Sequence, residues 1–177
     1  MNILALIGSP RKGSNTDILV AQLLKGSEVN GHTNEKAYLY DYEIAPCYDC
    51  RKCKEEPYVC VVCDGMLELA PRMEEADLIV FGTPLYWYGP TAQMKLLIDH
   101  LRPFIASRKL EGKKGVLVTP SEEGPEACGP LVEMVRKSFD YLGMESRGAL
   151  LAKAYERGEI AENPEELKRA YDFGIAL

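Results

Sequence analysis

The chain has 177 residues, and its 21 basic against 27 acidic side chains leave a formal net charge of −6. That length suits one domain spanning residues 1–177 around one main core, and the acidic balance argues against a general nucleic-acid binder. No apolar run approaches the roughly 20 residues that span a bilayer, and the opening Met-Asn-Ile-Leu-Ala-Leu-Ile-Gly lacks a basic start and a cleavage site. A soluble protein of the reducing cytoplasm, without a membrane partner, is expected.

In chain order, Asn2 to Gly8 is a short apolar run ending in glycine, which predicts a buried parallel strand. A helical pattern follows from Ser14, carried by Ile18, Leu19 and Leu23. A second strand is predicted over Lys36 to Tyr40. The segment 44–64 then breaks the alternation, and Pro46 and Pro57 predict irregular backbone there. Helical spacing resumes with Met66, Leu69 and Met73, although Pro71 argues against one continuous helix. Asp77 to Gly82 is the clearest buried strand. Ala92 to Leu101 then carries Met94, Leu97, Ile98 and Leu101 at helical spacing. Gly115 to Thr119 predicts a strand, Leu131 to Leu142 a helix, Gly148 to Ala152 a strand and Pro164 to Ala176 a helix begun by Asn163. Five strands alternating with helices imply an α/β fold with a doubly wound parallel sheet and helices on both faces. In such folds ligands sit beyond the carboxyl ends of the strands, at the topological switch point.

Three loops at that edge carry candidate chemistry. Gly8-Ser-Pro-Arg-Lys-Gly-Ser-Asn-Thr16 offers the side-chain donors of Ser9, Arg11, Ser14, Asn15 and Thr16 beside a helix start, which suits a phosphate. It has neither the P-loop spacing nor a dinucleotide fingerprint. A simpler reading is that Ser14 or Asn15 only caps the helix. The second loop, Gly82-Thr-Pro-Leu-Tyr-Trp-Tyr-Gly-Pro90, sets Tyr86, Trp87 and Tyr88 in a row where a flat ring system can stack, or where a second subunit can pack. Gly82 and Gly89 permit close backbone approach. The third, Thr119 to Pro125, includes Ser121 and Gly124 and by position borders the same ligand.

Five of the six cysteines fall between residues 47 and 63, as Cys47-x2-Cys50-x2-Cys53 and Cys60-x2-Cys63. Thiolates at two-residue spacing can surround one metal centre, and Cys60 or Cys63 would have to close it. An iron–sulfur cluster, a zinc ion on two C-x2-C pairs and redox-switching free thiols are the three readings. Arg51, Lys52 and Lys54 add positive charge that favours thiolates. Cys128 precedes an apolar helix and is expected as a packed thiol. His32 and His100 are expected at the surface or in packing.

Taken together, the Gly8 to Thr16 loop, the cysteine run, and Gly82-Thr-Pro-Leu-Tyr86 followed by Met94-Lys95-x3-Asp99 resemble the NADPH-dependent FMN reductase family. Within it the chain is most similar to the iron–sulfur flavoproteins. The resemblance implies a flavodoxin-like fold with a compact cysteine-rich insertion after the second strand. It implies that Ser9, Arg11, Ser14, Asn15 and Thr16 hold the FMN phosphate, and that Pro84, Leu85, Tyr86, Trp87, Tyr88 and Gly89 line its ring. It implies ligation of a [4Fe-4S] cluster by Cys47, Cys50, Cys53 and Cys60. Cys63 is extra to that motif, and Asp99-His100 stands where relatives end the helix Asp-Arg.

On that resemblance the chain is a flavin-dependent oxidoreductase passing electrons between a carrier such as ferredoxin and an acceptor. No side chain is needed as nucleophile or base, because the cofactors carry the chemistry. The alternatives are an NAD(P)H-dependent FMN or quinone reductase without a cluster, and a flavodoxin-like electron carrier with a zinc-stapled loop. A homodimer or homotetramer is expected from the exposed aromatics and from relatives of this type.

Overall fold

The computed structural model describes every residue from Met1 to Leu177. Its five strands, β1 (Asn2–Ile7), β2 (Thr33–Tyr38), β3 (Leu78–Gly82), β4 (Lys114–Ser121) and β5 (Glu145–Lys153), form one wholly parallel sheet in the order β2-β1-β3-β4-β5. This is the flavodoxin-like order, in which the chain steps outward from β1 to β2 and then returns to β3 on β1's other side. The reversal leaves a crevice between the carboxyl ends of β1 and β3.

Helices cover both faces because the central strands have no polar side to show water. In β1, Ile3, Ala5 and Ile7 enter one core while Leu4 and Leu6 enter the other; Leu78 and Val80 of β3 oppose Ile79 and Phe81 in the same way. The first core lies under α1 (Asn15–Ser27) and α6 (Pro164–Ile175). The second packs α2 (Met66–Glu75), α3 (Ala92–Asp99), α4 (Arg102–Ser107) and α5 (Gly129–Leu142). Helices α1 and α6 touch backbone to backbone. A Cβ at Gly26 would lie 2.0 Å from the Tyr171 carbonyl oxygen, and one at Gly174 would lie 1.9 Å from that of Leu23.

Four predicted elements need correction. Strand β2 runs from Thr33 to Tyr38 rather than Lys36 to Tyr40, because Leu39–Asp41 closes into a 3-10 turn. As an edge strand with polar residues along most of its length, it lacks an apolar alternation that marks its start. Helix α2 passes through Pro71 unbroken. The hydrogen bond Pro71 cannot donate belongs to an exposed stretch of helix, where water can replace it. The helix predicted to reach Leu101 stops at Asp99, and α4 restarts at Arg102 with Pro103 in its first turn. Strand β5 also begins three residues before Gly148, at Glu145. No helix is long and apolar enough to cross a membrane.

Candidate functional site

Because β1, β3 and β4 run parallel, the loops that follow them emerge side by side at the carboxyl edge, and there they form one cleft of ≈ 220 Å³. Ser9, Arg11, Ser14, Asn15 and Thr16 after β1, Pro84, Leu85 and Tyr86 after β3, and Pro120, Ser121 and Glu122 at and after the end of β4 line it. Ala154 and Tyr155, which follow β5, complete the wall. Neither was legible in the sequence, since an alanine and a tyrosine after a strand carry no ligand signature.

The polar end is built on the start of α1. Ser14 occupies the N-cap position yet makes no side-chain capping bond, so its hydroxyl is left for the cleft rather than used by the helix. The first N–H groups of α1 are the unpaired donors that every helix start leaves. Arg11 is the one basic residue of the lining. Asn15 lines the cleft, and its side chain also bonds to the segment after β5. Its amide nitrogen donates to the Glu156 carbonyl (2.8 Å) and its oxygen accepts the Ile160 N–H (3.2 Å), clamping the segment after β5 against the first loop.

Asp17, three positions into the helix side of that loop, reaches back to accept the Gly13 N–H at 2.8 Å. It also receives Lys36 at 2.9 Å and the Tyr38 hydroxyl at 3.0 Å. Burial pushes the Asp17 carboxyl upward, but Lys36, the Gly13 N–H and Tyr38 outweigh it and hold the group below its ordinary range. Burial likewise opposes the charge on Lys36, whose bonds to Asp17 and Tyr38 prevail and raise it.

The aromatic end hangs on a ladder of buried threonines. Thr91 Oγ1 donates to the Gly8 carbonyl at 2.6 Å, the Thr91 N–H donates to Thr83 Oγ1 at 3.1 Å, and Thr119 Oγ1 donates to the Thr83 carbonyl. The three strand ends are thus tied laterally, and a Cβ on Gly8 would meet Met94 Cβ at 2.8 Å. Beyond the ladder, Tyr86 and Gly89 exchange two backbone bonds of 2.9 Å around a two-residue turn. Its central residues, Trp87 (φ 49°) and Tyr88 (φ 60°), are both left-handed, the geometry that Asn-Gly usually supplies. The turn leaves Trp87 98% exposed. Trp87 and Tyr88 therefore line a neighbouring depression, with Leu85, Ser121, Glu122 and Glu123, rather than the cleft itself. Gly124 lines neither, and Gly89 serves to close the turn. Tyr40, from the turn after β2, lies close enough to Tyr86 to feel its charge; burial and then Tyr86 raise its phenol.

The cysteine segment leaves the same edge after β2 and is pinned at its neck. Asp64 accepts the Ala45 and Met66 N–H groups at 2.9 Å each, and the Gly65 N–H donates to the Glu43 carbonyl at 2.7 Å. Inside the loop, Asp49, Arg51 and Tyr58 are left-handed and only Lys52–Lys54 is regular. No three Cys, His, Asp or Glu side chains converge as a ready-made metal site. Four of the thiols nevertheless share surroundings. Burial first, and then Cys60, push the Cys53 thiol up, with Arg102 opposing and Cys50 adding. Cys50 first, with burial, Cys60 and Cys47 adding, pushes the Tyr48 phenol up. Arg102 pairs with Asp49. An arginine thus meets the loop from α4, two residues after the His100 position where the family motif has it. Cys128 is fully buried against the Gly124 carbonyl, a packed thiol as expected.

Comparison with known proteins agrees with this layout. The NADPH-dependent FMN reductase family matches residues 1–154. An iron–sulfur flavoprotein of Methanocaldococcus jannaschii is 38% identical over 70% of this chain, a match spanning 65% of that relative, just under two thirds of its length. One from Archaeoglobus fulgidus is 31% identical over 100% of the chain and 79% of its own length, and one from Methanosarcina thermophila is 32% identical over 94% and 85%. Among solved structures, an NAD(P)H:quinone oxidoreductase from Methanothermobacter marburgensis superposes with a TM-score of 0.79 at 19% identity, covering 99% of this chain and 94% of that one. A flavodoxin from the domain Archaea gives 0.65 at 15% identity over 99% and 95%. These superpositions bear on the fold alone. The chain belongs to the NADPH-dependent FMN reductase family and is a flavin-dependent oxidoreductase.

Proposed function

We propose, from membership of the NADPH-dependent FMN reductase family, that this chain is a two-cofactor electron-transfer protein linking a one-electron carrier such as ferredoxin to an acceptor. The observation that carries the reading is the single cleft that joins an anion-binding helix start to an aromatic loop at the β1/β3 switch point. FMN is a phosphate on a flat ring, and the donor set fits it end for end. Ser9, Arg11, Ser14, Thr16 and the α1 N–H groups would hold the phosphate, while Pro84 to Tyr86, with Trp87 and Tyr88 at the rim, would border the ring. Asn15 acts by fixing the wall that carries Tyr155.

Cys47, Cys50, Cys53 and Cys60 would hold the [4Fe-4S] cluster, since soft thiolates beside Arg102 suit an anionic iron–sulfur core. When bound, FMN exchanges electrons singly or in pairs and a four-iron cluster exchanges them one at a time. The chain's own residues do the rest. Arg102 and Asp49 hold the loop against α4, the threonine ladder keeps the cleft walls in register, and Leu85 and Pro84 exclude water from one side of the ring position. The fully exposed Trp87 supports assembly with a second copy, as a homodimer or homotetramer.

The deciding experiment is iron, sulfide and zinc analysis of anaerobically purified protein with its visible spectrum. About four irons with matching sulfide per chain, under flavin bands, are the expected result. Flavin bands with zinc, or with no metal after iron reconstitution, would instead make the chain an FMN or quinone reductase whose thiols serve the loop.

A further inference from the structure

The turn after β3 carries two rings that the flavin cleft does not use. Its central positions are left-handed, which Asn-Gly ordinarily fills, yet the chain places Trp87 (φ 49°) and Tyr88 (φ 60°) there. Burial does not offset that choice, since Trp87 is 98% exposed and Tyr88 54%. The two rings instead line a depression of ≈ 370 Å³ together with Leu85, Ser121, Glu122 and Glu123. Leu85, Ser121 and Glu122 also line the cleft, so the two spaces adjoin. Trp87, Tyr88 and Glu123 belong to the depression and not to the cleft.

The two spaces differ in charge. Arg11 gives the cleft a cation, which suits a phosphate. The depression has two carboxylates and neither lysine nor arginine in its lining, so an anion is disfavoured there. The faces of its indole and phenol rings attract positive charge as well. Rings alone would accept any flat molecule, and carboxylates alone any cation. Both together select a molecule that is flat and positively charged.

We propose that this depression is a binding subsite for a flat aromatic cation, of the N-alkylpyridinium or quinolinium class, stacked on the Trp87 and Tyr88 rings and neutralised by Glu122 and Glu123. At 98% exposure both faces of the Trp87 ring are open, so a ligand on one face leaves the other for a second copy. A role for such a ligand in electron transfer rests on the flavin reading above. Its binding does not, so the two can fail separately.

The test is equilibrium dialysis of the protein as isolated against N-methylquinolinium, against quinoline, which is uncharged at neutral pH, and against 1-naphthoate, a flat anion of similar size. The cation should bind saturably and at least about fivefold more tightly than quinoline, the anion should bind more weakly than either, and added salt should narrow the differences. The chain has one tryptophan, so its fluorescence reports the site; quenching by the cation should saturate over the same range as dialysis. Glu123→Gln should cut the cation's advantage over quinoline about twofold, Trp87→Ala should abolish saturable binding, and bound flavin should stay on the protein throughout. Affinity for quinoline or the anion equal to that for the cation would overturn the proposal. So would quenching that never saturates, an unchanged ratio in Glu123→Gln, undiminished binding in Trp87→Ala, or release of flavin by the cation, which would put the ligand in the cleft. Protein isolated without flavin and unable to take it up would overturn the flavin reading, and the cation-to-quinoline ratio would still decide this one.

Discussion

The loops after β1 and β3 and the segment after β2 leave the same sheet edge, yet they are held in opposite ways. The first two are short and pinned along their length: Gly8, Thr83, Thr91 and Thr119 bond across three strands, and Asp17 draws in Gly13. The cysteine segment is pinned at its neck by Asp64 and on one flank by the Arg102–Asp49 pair, and between them it follows an irregular path with three left-handed residues. A packed parallel sheet can build a cleft before any ligand arrives. Thiols on the irregular 44–64 segment, without a core of their own, have no such scaffold, and under the iron–sulfur proposal the metal would supply the convergence.

The sharpest break between the regions should come from Cys53→Ala. The buried loop thiol should be indispensable, so iron content should fall to background while the flavin-to-protein absorbance ratio stays unchanged; Cys50→Ala should behave alike, and Cys63→Ala should keep its iron. Loss of flavin together with iron would show that the two regions are not independent.

Next in size is Arg11→Ala, which removes the one basic side chain of the cleft. FMN affinity measured by fluorescence titration should weaken about 10–100-fold, about 1.4–2.8 kcal/mol, the loss expected for a charge-assisted bond. Iron content should not change.

Asp17→Asn tests the pinning of the first loop. The Asp17 carboxyl is held below its ordinary range in the folded protein, so its stabilisation is complete above a pH of about 4 and is lost as pH falls through the folded value. Urea unfolding at neutral pH should show the variant about 1–2 kcal/mol less stable, with the gap closing as acid protonates the wild-type carboxyl. A gap independent of pH would remove Asp17 from this role.

The smallest effect concerns the turn that Trp87 and Tyr88 strain. Replacing them by Asn and Gly should stabilise the chain by about 1 kcal/mol in thermal or urea unfolding, because the left-handed positions then carry residues that accept them. Flavin binding should change little if these aromatics face the neighbouring depression, and assembly with a second copy should weaken if they pack against one.

Much of this protein was legible in its residues. Runs such as Ile3 to Ile7 and Leu78 to Phe81 are apolar at every position, and only a strand buried on both faces requires that. The Gly8 to Thr16 loop showed its cluster of donors and the 47–63 segment its cluster of thiols, because both lie in contiguous sequence. The start of edge strand β2 and helix α4 were not legible, the one masked by polar residues and the other hidden behind a two-residue break at His100 and Leu101. Long-range pairings were beyond any local pattern: Asn15 clamps a segment more than a hundred residues away, Tyr155 entered the cleft, and Arg102 met Asp49. The sequence alone determined which groups were available and which stretches had to be buried. Only the tertiary structure decided which groups meet, since a hydrogen bond depends on a few ångströms of position that the packing of sheet and helices sets.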